Sequence, residues 1–289
     1  VVIRGLVLVA LAAVSWGTTG SVSTVLAERA AATPVLVGLA RTWVAGALLA
    51  GAAVLTGRVA VAREDRTRSV LMGLAMAAYQ VAFFSAVPRS GIAVAALVAI
   101  CSAPLMITAF AAAFLGERLS PRDRAALVLG VLGTAFLLGA PAPPGPPGGF
   151  FAGVLLALAA GVAYAIYVVL AKASVARSAP LPLAATTFTV AAIVLTPSLA
   201  WIDAAGPQVA AGWPWLLYLG GVATAGAYAL HTAGLRWVPA SVAGIVGLLE
   251  PVTATGLGVL VFGERLGAAG VAGGLLLLAA LTALVTARR

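Results

Sequence analysis

Phe114-Leu115-Gly116-Glu117-Arg118-Leu119 returns 147 residues later as Val261-Phe262-Gly263-Glu264-Arg265-Leu266. A proline precedes each copy at the same distance, Pro104 in the first and Pro251 in the second. Leu11-Ala12-Ala13 and Leu158-Ala159-Ala160 repeat at that offset too, although alanine-rich sequence produces such matches by chance. Gly-Glu-Arg-Leu behind a proline inside an apolar run, at one fixed spacing, is a far more specific sign. The chain is two copies of one unit.

The sequence around these stretches is 63% hydrophobic and 9% charged. A soluble domain averages about 45–50% apolar and about 25% charged residues, so this chain cannot cover a water-facing surface. Apolar runs occupy 5–27, 35–56, 69–87, 91–115, 125–140, 150–171, 181–201, 214–236, 240–262 and 267–286. A spanning helix needs about 20 residues, which gives an all-α polytopic membrane protein of ten transmembrane helices. The first run exceeds the length of a secretory h-region and is expected to be a retained helix. Residues 141–149, Pro-Ala-Pro-Pro-Gly-Pro-Pro-Gly-Gly, suit neither a helix nor a ladder strand. The expected organisation is a first five-helix repeat over 1–140, a linker over 141–149 and a second repeat over 150–289, packed as one bundle.

Five is odd, so the second copy enters the membrane from the opposite side. Charge agrees. With the N-terminus inside, thirteen Lys and Arg residues fall on inside segments and three (Arg29, Arg89, Arg265) on outside segments, with Arg41 inside the second span. Basic loops are retained at the cytoplasmic face. Both termini are therefore expected in the cytoplasm, and the two Gly-Glu-Arg-Leu ends on opposite faces. The formal net charge of +9 sits in short loops, which points to the lipid surface and not to nucleic acid. Inverted repeats of this kind place a solute site near the midplane.

Ser15-Trp16-Gly17 in the first helix, Pro104 and Pro251 in helices four and nine, and the paired Gly-Glu-Arg-Leu ends resemble the drug/metabolite transporter superfamily. Within it the chain is similar to the EamA-type ten-helix members over nearly its whole length. Glu250-Pro251 and Phe262-Gly263-Glu264-Arg265 are the most specific elements. The resemblance implies one bundle in a bacterial inner membrane that opens alternately to each side and exports a metabolite. The chain also resembles the YddG-like amino-acid exporters, whose cavities are lined by aromatic residues. Tyr79, Phe83 and Tyr164 would hold such positions.

Glu250 lies near the middle of the ninth span, where a charge costs about 2.5–3.5 kcal/mol on insertion scales. It either faces a cavity, as a contact for a substrate amine or a proton carrier, or sits protonated against a neighbouring helix. Its repeat counterpart is Ala103, so it is not a symmetric fixture. Pro104 and Pro251 each remove one helix bond. They are expected to break their helices beside the site, with Cys101 and Ser102 as small neighbours. His231, the only histidine, is a second proton-coupling candidate or one interhelical hydrogen-bonding group. Arg41 is expected to snorkel to the outer interface as a structural residue. Trp16, Tyr79, Phe83, Tyr164 and Tyr167 lie deep, and at least two should line the cavity.

One cysteine and one histidine on separate spans exclude a Cys/His metal site, and no nucleotide-binding Gly-x-x-x-x-Gly-Lys loop occurs. No cofactor and no catalytic residue is expected. The first helix carries no carboxylate, unlike the small multidrug exporters of the superfamily, so their drug–proton exchange does not transfer. The leading expectation is export of small metabolites, amino acids including aromatic ones first. The alternative is export of hydrophobic or cationic drugs, and the rival classes are a membrane-embedded enzyme or a scaffold. A single chain is the expected working unit. Gly270-x-x-x-Gly274 offers a possible dimer face, with packing inside the chain the favoured use.

The topology is testable. In a variant without Cys101, single cysteines at Ser120, Gly145 and Gly267 meet an impermeant thiol reagent on intact cells. Positions 145 and 267 should label and 120 should not; labelling of 120 together with 145 rejects inverted repeats.

Overall fold

A computed structural model describes residues 2–90, 92–138, 147–262 and 267–286, and every regular element among them is helical. In the first half, α1 (Val2–Gly17) and α2 (Thr19–Ala30) make one crossing with a break at Thr18. They are followed by α3 (Pro34–Leu55), α4 (Arg66–Ser90), α5 (Ile92–Leu115) and α6 (Pro121–Leu138). In the second half come α7 (Pro147–Ser174), α8 (Pro180–Leu195), α9 (Ala205–Gly220) and α10 (Ala227–Gly234), the last two joined by a π-helical turn over Gly221–Gly226. Then follow α11 (Ala240–Val246), α12 (Leu249–Phe262) and α13 (Ala268–Thr286). Taking α1–α2, α9–α10 and α11–α12 as single crossings gives ten. Seven are long and apolar enough to span by themselves among the described residues. The other three are α6, α9–α10 and α13. Prolines at the first turns of α3 and α8 suit helix starts, where the missing N–H costs nothing.

The packing follows an inverted two-fold. α3 lies against α8, its counterpart, and α6 against α13. α4 packs on α7, and the equivalent pair α10 packs on α1. α5 packs on α7 as α12 does on α1. Each helix thus finds its main neighbours in the other repeat, so the two copies interlock and neither forms a bundle alone. Small residues bring α6 and α13 together: a Cβ on Gly133 would sit 2.9 Å from the Gly273 carbonyl oxygen. The small residues of the tenth helix therefore serve, at least there, in packing within the chain.

Sidedness is visible in the loops. Arg4 lies over the Trp237 ring at 4.9 Å. The Lys172 ammonium donates to the carbonyls of Leu235 (2.7 Å) and Val238 (2.8 Å), closing the end of α10. Asp65, fully buried, accepts from Arg68 (2.9 Å), Arg177 (2.6 Å) and the Ser178 hydroxyl (2.9 Å). These arginine-rich segments, which the charge count puts on one face, gather at one end. At the other end the Thr33 amide donates to Gln208 Oε1 at 2.9 Å.

The first Gly-Glu-Arg-Leu has a mechanical reading. Gly116 ends α5 at φ +66°, a left-handed conformation that suits glycine. The turn aims Glu117 across the seam. Its carboxylate accepts the backbone amides of Ala240 (2.8 Å) and Ser241 (3.1 Å) and the Ser241 hydroxyl (2.7 Å), satisfying free donors at the start of α11. The second copy, Gly263–Leu266, lies outside the described residues, as does most of the 141–149 linker. α7 begins at Pro147, three residues earlier than the apolar run.

One expectation is corrected. Pro251 follows a real break, the turn at Gly247–Leu248 between α11 and α12, but α5 runs through Pro104 without interruption. Pro104 loses one bond, which a membrane helix tolerates. The turn at the second break uses ordinary right-handed backbone at Gly247, where an added Cβ would lie 3.1 Å from the Gly244 carbonyl oxygen; the counterparts there are Leu97 and Ile100.

Glu117→Ala leaves two amides of α11 without their acceptor. It should cost about 1–2 kcal/mol, read as a lower thermal midpoint in detergent. Glu117→Gln, which keeps one acceptor oxygen, should lose less.

Candidate functional site

Helices of the two repeats meet at mid-depth around a continuous group of rings. Trp16 on α1 sits 4.9 Å from Tyr228 and 5.3 Å from His231, both on α10, and 6.2 Å edge-on from Tyr164 on α7. Tyr164 continues to Tyr79 on α4 at 6.1 Å, and Tyr79 stacks on Phe83 at 6.0 Å. On the other side Tyr167 meets Tyr228 at 5.6 Å, and Phe188 on α8 meets it at 4.7 Å. Spacings of 4.5–7 Å with tilted or edge-on planes are the favourable range for ring pairs.

The rings divide by exposure. Trp16, Tyr167, Phe188, Tyr228 and His231 are buried. Tyr79, Phe83 and Tyr164 are only half-buried, as are Glu250 and Arg41. These five are partly exposed where helices of the two repeats meet. α1 comes close there. A Cβ on Gly17 would lie 2.7 Å from the Glu250 carbonyl oxygen, so glycine there lets α1 reach the start of α12.

Arg41 does not snorkel. It lies about 10 Å below the outer end of α3, seven residues at 1.5 Å each. Its Nη2 donates inward to Gln80 Oε1 at 3.1 Å. Gln80, buried, is fixed in turn by donating from Nε2 to Thr42 Oγ1 at 3.3 Å. A buried amide offers the arginine a partner that the route to the interface does not. Arg41 Nε is buried without a hydrogen-bond partner. Glu250 is near enough for the two charges to interact, but they form no direct ion pair. Among the described residues the Glu250 carboxylate has no hydrogen-bond partner, whereas its backbone amide is paired to Gly247.

The structure thus brings together Trp16, Tyr79, Phe83, Tyr164 and Glu250, with His231 at the edge. Cys101 and Ser102 stand apart. The Cys101 thiol faces α6, 3.7 Å from the Val131 carbonyl. The Ser102 hydroxyl donates back to Ala99 and packs against Gly161 of α7. Tyr228 and Phe188 join the ring group unannounced. Both sit in helices apolar on every side, and Tyr228 follows the π-helical turn, which shifts the helical phase.

Among the described residues no group of His, Cys, Asp and Glu could hold a metal ion. Ten crossings in two halves that pack as counterparts, with aromatic and charged side chains gathered between them, fit a membrane transporter rather than an enzyme. The chain belongs to the EamA-like transporter family, whose model matches it twice, over residues 3–139 and 151–286. It is 36% identical over 260 residues to the uncharacterized transporter YwfM of Bacillus subtilis, covering 89% of this chain and 86% of the relative. It is 28% identical over 221 residues to an uncharacterized transporter of Archaeoglobus fulgidus, covering 76% of each. One protein known from a crystal structure shares the fold, with a TM-score of 0.84, 24% identity, and coverage of 98% of this chain and 96% of that one.

His231 lies between Trp16 and Tyr167 with its Nδ1 buried and unpartnered. Replacing an unpaired buried polar group by an apolar one of similar shape is nearly neutral or stabilising. His231→Phe should therefore keep or raise the thermal midpoint and leave the pH profile of transport unchanged. A lost pH dependence would instead make His231 a proton carrier.

Proposed function

We propose that this transporter exports amino acids, aromatic ones among them, from a bacterial cell. The bundle opens alternately to each side around the space between the repeats. The observation that carries this reading is the half-covered set of Tyr79, Phe83 and Tyr164 beside two opposite charges. Rings and few polar groups suit a small amphipathic solute. The seam supplies what alternating access requires. Bonds across it are few: Asp65 with Arg177 and Ser178, the Ala62 amide with Ser178, and Glu117 with Ala240 and Ser241 at one end, Thr33 with Gln208 at the other, and Trp43 with Thr196 and Tyr218 with Thr18 between them. Alternating access would break the end bonds in turn. The working unit is a single chain, because each repeat already has its partner within it.

Export of hydrophobic cations would use the same rings and Glu250. Arg41 disfavours it, since its charge reaches the same space.

Purified protein in liposomes tests the reading against phenylalanine, leucine, a nucleoside and a cationic dye. Phenylalanine and leucine should cross. Tyr164→Ala removes ring contact of about 0.5–1.5 kcal/mol beyond its buried area, so it should slow phenylalanine several-fold more than leucine at equal protein. Trp213→Ala, an exposed ring far along the chain from the group, should leave the ratio unchanged. Transport of the dye alone rejects the proposal.

A further inference from the structure

The two charges beside the rings differ in a way that specifies more than an amphipathic solute. Arg41 is held through one nitrogen, Nη2, by Gln80, and Gln80 is itself held by Thr42. That chain fixes the guanidinium in place while its Nε stays buried without a partner. A guanidinium is a planar fork of five donors matched to the two oxygens of a carboxylate. Most of this fork is unused among the described residues.

Glu250 is the opposite case. It stands in the first turn of α12, half-buried, with no hydrogen bond or ion pair to its carboxylate among the described residues. Its backbone carbonyl lies against Gly17, beside Trp16, whose ring meets those of Tyr164 and Tyr228. An ammonium placed there would gain the carboxylate and the faces of the rings. Arg41 and Glu250 sense each other but do not touch. The bond to Gln80 holds Arg41 apart from Glu250, so that neither group uses the other as its direct partner.

We propose that Arg41 and Glu250 are the two poles of a zwitterion clamp, Arg41 for the carboxylate of an α-amino acid and Glu250 for its ammonium, with Gln80 as the residue that positions the arginine. The clamp rests on the amino-acid reading above and names its specificity determinants. A zwitterion inserted between the poles pairs both and adds no net charge to the membrane interior. A simple amine leaves Arg41 uncompensated, and a simple acid leaves Glu250 so.

The test uses full-length protein in nanodiscs and three probes: phenylalanine, phenethylamine, which lacks the carboxylate, and 3-phenylpropionate, which lacks the amine. One charge-assisted contact corresponds to about a tenfold change in Kd. Wild type should bind phenylalanine about tenfold or more tighter than either analogue. Arg41→Gln should bring phenylalanine and phenethylamine to within about twofold of each other while keeping the preference over 3-phenylpropionate. Glu250→Gln should do the reverse. Gln80→Leu should weaken phenylalanine and 3-phenylpropionate together and spare phenethylamine. Thermal midpoints establish folding, and Arg41→Lys, which keeps the charge but not the fork, replaces Arg41→Gln if that variant does not fold. Equal binding of all three probes by wild type overturns the clamp, as do variants that weaken all three alike. If phenylalanine crosses liposomes but the analogue ratios do not move, the clamp alone fails. If neither phenylalanine nor leucine binds or crosses, the amino-acid reading fails with it.

Discussion

An odd number of crossings per repeat is the constraint on which the rest of this molecule depends. With five, the second copy must run through the bilayer upside down. The same sequence motif then serves opposite faces, and the neighbour that each helix buries is supplied by the other copy. The pairs α4 with α7 and α1 with α10 are one contact seen twice. Hydrocarbon gives a helix no reason to prefer protein over lipid on hydrophobic grounds. Close packing of small residues and the satisfaction of helix ends have to hold the halves together. Glu117 does the second of these. It reaches from the end of one repeat to the start of the broken helix of the other, and the glycine before it provides the turn.

The polar interior follows from that seam. Where α1, α3, α4, α7, α10 and α12 converge, the turn at Gly247–Leu248 places Glu250 in the first turn of α12. A lone carboxylate at mid-depth is expensive. Arg41 offsets part of that cost at a distance while Gln80 keeps it from collapsing onto the acid. The arrangement leaves the two groups without a direct ion pair, a condition that the zwitterion proposed above would relieve.

The helical spans and the duplication were legible in the sequence, because each leaves a signal along the chain, length and offset; parity and Lys/Arg placement carry the expectation of inversion and sidedness. Glu250, Trp16, Tyr79, Phe83 and Tyr164 were legible as candidates because polar or bulky aromatic residues are few in such spans. Which way a residue points was not. A water-facing helix announces its inner side by its apolar stripe, whereas these helices are apolar all round. Arg41 was therefore read as snorkelling outward, Cys101 and Ser102 were grouped with the pocket, and Tyr228 and Phe188 went unnoticed. The continuity of α5 through Pro104 escaped for a related reason. A proline removes one bond, and whether the helix then parts is decided by packing that leaves no mark along the chain.

The symmetry of the backbone and the asymmetry of the side chains belong together. Glu250 faces Ala103 in the repeat alignment, Trp16 faces Ala163, and Tyr164 faces Gly17. Counting from the prolines that start α3 and α8, Arg41 corresponds to Thr187. Every functional candidate is therefore present in one copy only, while the helix starts and the Gly-Glu ends are kept in both. The packing of counterpart helices keeps the two-fold, whereas the break between α11 and α12 has no equivalent in α5. A pocket obeying that two-fold would present two like ends to its solute. A solute whose two ends differ, one acidic and one basic, calls for a pocket in which the two-fold has been erased side chain by side chain. The retained symmetry lies in how counterpart helices pack, and the lost symmetry in the side chains that would touch the solute.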